Sequence, residues 1–144
     1  MVETMRPRGI TSLLLRALAC VGGASCALPA PRPAPREVVA VTSFDLRQGE
    51  RVRLRDSAVE ITFAGAADSR CPSDVTCITA GDARIALLLA SGDGTTRADT
   101  VQLAPSHRAT SYAGYRIEAL GLEPYPRSTV NTPPLVVTLR VVPQ

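Results

Sequence analysis

Between residues 51 and 63 the apolar positions fall on every second residue. Val52 and Leu54 alternate with Arg51, Arg53 and Arg55, and Val59, Ile61 and Phe63 alternate with Glu60 and Thr62. A period of two sends successive side chains to opposite faces of an extended backbone, so this stretch buries one face and wets the other only as β-strand. Asp56 and Ser57, between the two runs, predict a hairpin. Across it the three arginines should lie near Glu60 and Thr62 on the solvated face. A three-arginine stripe could be an anion site, but alternating charge is the ordinary composition of a wet sheet face.

The same pattern of short runs separated by Gly, Pro, Asp and Ser continues from Glu37 to Gln144, and no helical period persists. Strands are expected at 38–46, 51–55, 59–63, 83–90, 95–103, 115–122 and 135–142. Gln48-Gly49 and Ser91-Gly92-Asp93-Gly94 supply turns, the latter with the positive φ of a tight hairpin at Asp93-Gly94. The run 83–90 is apolar almost throughout, which predicts a central strand covered on both faces. Two longer connections, 104–114 and 123–134, should be irregular, the second because it carries Pro124, Pro126, Pro133 and Pro134. About seven short antiparallel strands in one all-β domain, 37–144, fit an immunoglobulin-like sandwich better than a closed barrel.

The first 25 residues have a different character. Arg6 and Arg8 precede an apolar run from Ile10 that Arg16 interrupts and that gives way to Gly and Ala after Val21, the layout of an export signal and too short for a membrane span. Met5, followed by Arg6-Pro7-Arg8, is an alternative start to Met1. Gly23-Ala24-Ser25-Cys26 reads as a lipoprotein cleavage site with Gly23 in place of the usual Leu, and Ala17-Leu18-Ala19-Cys20 is the competing frame. Cys26 is preferred as the lipidated residue, because the Pro-rich segment 26–36, CALPAPRPAPR, follows at once and would make an extended tether between anchor and domain. Ala27, in place of the Asp that retains lipoproteins in an inner membrane, sets the expectation of an outer-membrane protein facing the periplasm or the exterior.

Removing the signal takes away Arg6, Arg8, Arg16 and Glu3, so the formal charge of +3 becomes thirteen basic against twelve acidic residues, or +1. A nearly neutral chain gives no footprint for nucleic acid. In an oxidising compartment, with Cys20 and Cys26 belonging to the signal and anchor, Cys71 and Cys77 are left as a pair and should form a disulfide. The metal reading of DSRCPSDVTCITAGD mixes two thiolates with Asp68, Asp74 and Asp82, leaves the only histidine, His107, far away in sequence, and has no second Cys pair. Redox catalysis wants two residues between the cysteines, and here there are five. No cofactor is expected.

Asp68-Ser69-Arg70-Cys71-Pro72, followed by Cys77-Ile78-Thr79-Ala80-Gly81, resembles the signature of a family of small, uncharacterised bacterial exported proteins and lipoproteins. In that family DSRCP is followed by a second cysteine and then a Trp-Ala-Gly-like run entering a strand. Glu123-Pro124-Tyr125-Pro126 is similar to its later Pro-Tyr-Pro segment. The firm match covers about fourteen residues; Thr79 stands where the Trp usually sits. The resemblance implies kinship and export but passes on no activity.

Ser106-His107 is the only arrangement suggestive of a hydrolase, and neither a Gly-x-Ser-x-Gly elbow nor a second histidine accompanies it. Tyr112 and Tyr125, flanking the two long connections, are the candidate contact residues for an unknown envelope protein or small ligand, with packing as the alternative use of each ring. The expectation is a lipid-anchored, non-catalytic binding or structural module. The alternative is a small exported inhibitor or ligand carrier working through 104–114 and 123–134.

Overall fold

A computed structural model describes residues 34–40, 42–55, 57–129 and 133–144, all within the compact unit Pro33–Gln144. Nine strands and one short 3-10 turn follow in order: β1 Arg36–Val38, β2 Ser43–Arg47, β3 Arg51–Leu54, β4 Glu60–Asp68, β5 Ala83–Ala90, β6 Thr96–Gln102, the turn Pro105–His107, β7 Ala109–Tyr112, β8 Tyr115–Glu123 and β9 Val136–Pro143. They form two sheets, ordered β1-β3-β4-β5-β6 and β2-β9-β8-β7. Among the described residues only β1 and β3 run parallel; every other pairing is antiparallel. The two sheets face each other as a sandwich, and among the described residues no helix is long and apolar enough to cross a membrane.

The period of two explains the core. Val52, Leu54, Ile61, Phe63, Ile85, Leu87, Leu89 and Val101 point inward from the first sheet, and Leu46, Ile117, Leu122, Val137, Leu139 and Val141 from the second, all essentially inaccessible and in one cluster. Among the described residues no polar or charged residue is buried, so this core holds through apolar burial and packing. On the wet face of the expected hairpin Arg53 meets Glu60, its register partner, at 3.1 Å through Nε, and Arg51 lies 3.8 Å from the same carboxylate. Arg55 Nε lies 4.0 Å from Glu37 of β1, so the arginine stripe is engaged with the strands on both sides of β3.

Four expectations need correction. The predicted first strand, 38–46, is two: β1 belongs to one sheet and β2 to the other, and Thr42 Oγ1 donates to Val39 O at 2.6 Å where the chain turns between them. The apolar run Val38-Val39-Ala40-Val41 concealed that change of sheet. The segment 83–90 is covered on one face only; Ala83, Ile85, Leu87 and Leu89 are buried while Leu88 is 42 % exposed. A two-layer sandwich offers its outer face no cover, and Leu88 sits between Thr62 and Ala98 on the neighbouring strands. The connection 104–114 contains β7, whose Ala109-Thr110-Ser111 lacks apolar alternation and is held by pairing with β8. Strand β4 runs on to Asp68, five residues past the expected end at Phe63, through the small residues 64–67. Among the described residues the count is therefore nine strands instead of about seven, within the same fold class.

Candidate functional site

Two connections meet at one end of the sandwich. The first, 69–82, prolongs the β4-β5 ladder past its last pair, Asp68 with Ala83. Ser69 N donates to Asp82 O at 2.8 Å and Cys71 N to Ala80 O at 2.8 Å. Gly81 makes this possible: its φ is +67°, and a Cβ there would stand 1.8 Å from Ser69 O. Beyond the ladder the loop is closed by the Cys71–Cys77 disulfide, with Cα atoms 5.9 Å apart. The expected staple is present.

At the base of this loop Asp68 and Arg70 form a two-pronged ion pair, Nε to Oδ1 at 2.9 Å and Nη2 to Oδ2 at 2.6 Å. The two side chains are only 13 % and 10 % exposed. Burial alone would push the Asp68 carboxyl upward, but the Arg70 guanidinium and the Arg70 backbone N–H together hold it below the usual carboxylate value. The same bonds raise the Arg70 pKa against the effect of its own burial.

The second connection follows β8. At its start the Glu123-Pro124 peptide bond is cis, and Tyr125 N–H donates to Glu123 Oε2 at 2.9 Å. Tyr125 then lies against Arg70, whose guanidinium carbon is 4.4 Å from the ring centroid. Ser73 N donates to Pro126 O at 3.0 Å. Ser128 N donates to Asp74 Oδ1 at 2.9 Å, and the Ser128 hydroxyl donates to Asp74 Oδ2. These Ser128 bonds draw the exposed Asp74 carboxyl below its ordinary value. One cation-π contact and three hydrogen bonds thus fasten the disulfide loop to the Pro-rich loop. The segment 103–108 joins the same end, because Ala104 N donates to Asp82 Oδ1 at 3.1 Å.

The joined loops leave apolar groups outside. Ile78 is fully exposed, and Val75 and Tyr125 are each almost half exposed. Against Tyr125 a cavity of about 470 Å³ opens between the end of β4 and the Pro-rich loop, with Asp68, Arg127, Pro133 and Leu135 also in its wall.

The other sequence candidates lie elsewhere. Tyr112 is 8 % exposed; its hydroxyl donates to Thr95 O at 2.8 Å and lies 3.0 Å from Ser91 Oγ. It therefore packs under the 91–95 turn at the far end of β5 and shares no surface with Tyr125, so the pair does not form one contact patch. Ser106 Oγ is 2.9 Å from His107 Nδ1, a bond between neighbours in one 3-10 turn. Among the described residues no carboxylate hydrogen-bonds His107, and no three His, Cys, Asp or Glu side chains converge as metal ligands would. Cys26, like Cys20, lies outside the described residues. Reasoning from the sequence missed Arg70, Asp74 and Ser128 as the fasteners, and Val75 and Ile78 as the exposed groups. Two aliphatic residues inside a disulfide ring and its margin were the one available signal. Comparison with family models, with curated proteins and with solved structures finds no match to this chain.

Proposed function

We propose that this chain is an exported, lipid-anchored β-sandwich whose role is binding and not catalysis, and that its binding surface is the end built from the 69–82 and 123–129 loops. The observation that carries the reading is the fastening of those two loops, distant in sequence, into one platform that holds Ile78, Val75 and Tyr125 in solvent. A fold has no need to order exposed aliphatic groups on a stapled loop, whereas recognition gains from a surface already fixed. The signal-like first 25 residues, Cys26 and the Pro-rich 26–36 support export and anchoring, and the absence of Asp after Cys26 supports the outer membrane. The DSRCP and EPYP resemblances to small bacterial exported proteins and lipoproteins fall on the two fastened loops.

Fractionation of cells making the full chain tests this. The protein should sediment with the envelope and carry lipid on its N-terminal cysteine, and Cys26→Ser should release it. A photo-crosslinking residue at position 78 should give a discrete adduct and one at position 88 none. Equal labelling from both positions would remove the platform from the proposal.

A second reading, a small-ligand carrier, is favoured by the 470 Å³ cavity, whose size lies within the range of pockets for small molecules. Its test is saturable binding of an apolar fluorescent dye that Tyr125→Ala abolishes; unchanged binding in that variant counts against it.

A further inference from the structure

The first sheet ends on β6, whose only strand neighbour among the described residues is β5. Of the four sheet edges, β6 offers the most free backbone. Strand β1 has three residues. An outward carbonyl of each remaining edge is already taken by an arginine, Asp45 O of β2 by Arg36 and Ser111 O of β7 by Arg97.

In an antiparallel ladder alternate residues exchange both hydrogen bonds with the neighbouring strand, and the residues between them turn their N–H and C=O away. The β5-β6 register runs on at its two ends into Ser91 N donated to Thr95 O and Leu103 N donated to Ala83 O. Odd-numbered residues of β6 therefore bond to β5. Thr96, Ala98, Thr100 and Gln102 aim their backbone groups at the open edge, and the Thr100 N–H accordingly turns to its neighbour's Asp99 Oδ1 at 2.8 Å. Seven residues with neither a proline nor a bulge make such an edge a template for another strand.

The side chains say which strand. Arg97 and Asp99 both reach toward β7, through Thr110, and Ala98 lies between them. When a second copy of β6 pairs antiparallel about a two-fold axis at Ala98, the outward residues meet in hydrogen-bonded positions: Ala98 faces the partner's Ala98, and Thr96 the partner's Thr100. Arg97 then falls opposite the partner's Asp99, and Asp99 opposite the partner's Arg97. Both are non-hydrogen-bonded positions, where opposed side chains approach most closely. The adjacent registers lack this match. An axis at Asp99 opposes two carboxylates and an axis at Arg97 opposes two guanidinium groups, and like charges directly opposite destabilise a sheet.

The groups this pairing needs are also unspent. Arg97 uses Nη2 for Asp99 Oδ2, Thr110 Oγ1 and Ser111 O, which leaves its Nε and Nη1 without a hydrogen bond among the described residues. Asp99 Oδ1 accepts the Thr100 N–H, a donor that the partner's Thr96 carbonyl would take over. We propose that this chain forms a two-fold dimer through β6, joining the first sheets of two copies into one. The axis sends the two platforms of 69–82 and 123–129 to opposite ends of the dimer, so pairing covers neither and stands apart from what they bind.

The test uses full chains carrying two different C-terminal tags, co-produced, extracted in mild detergent and captured through one tag, with native mass spectra recorded at roughly 50 μM protein. Parent chains should co-capture and show twice the protomer mass. Arg97→Asp and Asp99→Arg should each lower self-capture roughly tenfold or more, because each sets like charges opposite one another in both pairs. Arg97→Asp mixed with Asp99→Arg should restore capture, although neither chain regains its own ion pair between positions 97 and 99. Ala98→Pro removes an N–H that β5 does not use, so it should keep the parent's far-ultraviolet spectrum and give the single protomer mass. A parent chain of single protomer mass overturns the dimer. Undiminished self-capture in the charge variants, or no restoration on mixing them, overturns the register, and a folded Ala98→Pro that still dimerises overturns pairing through this edge.

Discussion

The guanidinium carbon of Arg70 sits 4.4 Å from the centre of the Tyr125 ring, which places the single arginine of the 69–82 loop under the tyrosine of the 123–129 loop. Arg70 can hold that position because its own charge is met by Asp68 beneath it. The contact therefore depends on an ion pair that most of the surrounding water cannot reach.

Removing Arg70 should accordingly loosen both loops. Arg70→Ala leaves Asp68, at 13 % exposure, without its charged partner, and losing hydrogen bonds to a charged group costs about 2 kcal/mol. Thermal unfolding should fall by that order, and amide exchange should quicken at 69–82 and 123–129 together. Quickening confined to 69–82 would mean that the Tyr125 contact carries no coupling between the loops.

The same pair sets an acid limit. The folded Asp68 carboxyl is held below its ordinary 3.8, as are those of Asp74, Asp93 and Asp99. A depressed folded pKa contributes stability that is fully present above the unfolded value and is lost as pH falls through the folded one. Stability should be flat from neutrality to about pH 5 and drop below about pH 4. In Asp68→Asn the acid-dependent drop should be shallower, because one of the carboxylates that drives it is gone. An identical pH profile in that variant would show that Asp68 is not a source of the drop.

The disulfide contributes locally. Closing so short a ring lowers unfolded-chain entropy by an amount worth about 2 kcal/mol, and its cysteines lie outside the Phe63 and Leu87 core. Cys71→Ser with Cys77→Ser should leave the far-ultraviolet spectrum unchanged, lower stability by that order, and free the amides of 71–80 to exchange. The core strands should keep their protection. Intact mass under non-reducing conditions should show both cysteines oxidised in the parent chain.

How much of this was legible follows from what is local. The β3-β4 hairpin was plain because Val52, Leu54, Ile61 and Phe63 fall on a strict period and polar turn residues separate them. The staple was plain because the export expected from the first 25 residues and the cysteine count left one pairing. Strand β7 was hidden because Thr110 and Ser111 acquire their place only by pairing with Ile117 and Arg116. The outward Leu88 misled because a continuous apolar run looks alike whether one face is covered or two. Arg70 against Tyr125 was invisible for the same reason as β7: no property of either residue's neighbours states that residues so far apart will adjoin.

Two glycines separate backbone strain from close approach. Gly81 and Gly94 both have positive φ, +67° and +85°, yet a Cβ at Gly94 would meet nothing within 4 Å while one at Gly81 would meet Ser69 O at 1.8 Å. Gly94→Ala should therefore cost only the strain of a left-handed alanine, about 1 kcal/mol. Gly81→Ala adds the displacement of the Ser69 strand end, and should cost about 3 kcal/mol. It should also break the Ser69 and Cys71 hydrogen bonds that carry the ladder into the disulfide loop. Chemical denaturation of the two variants gives the comparison, and amide exchange at Ser69 and Cys71 gives the location. Equal destabilisation by both would mean that the loop yields freely around an added methyl group, and that the platform is not held rigid at its base.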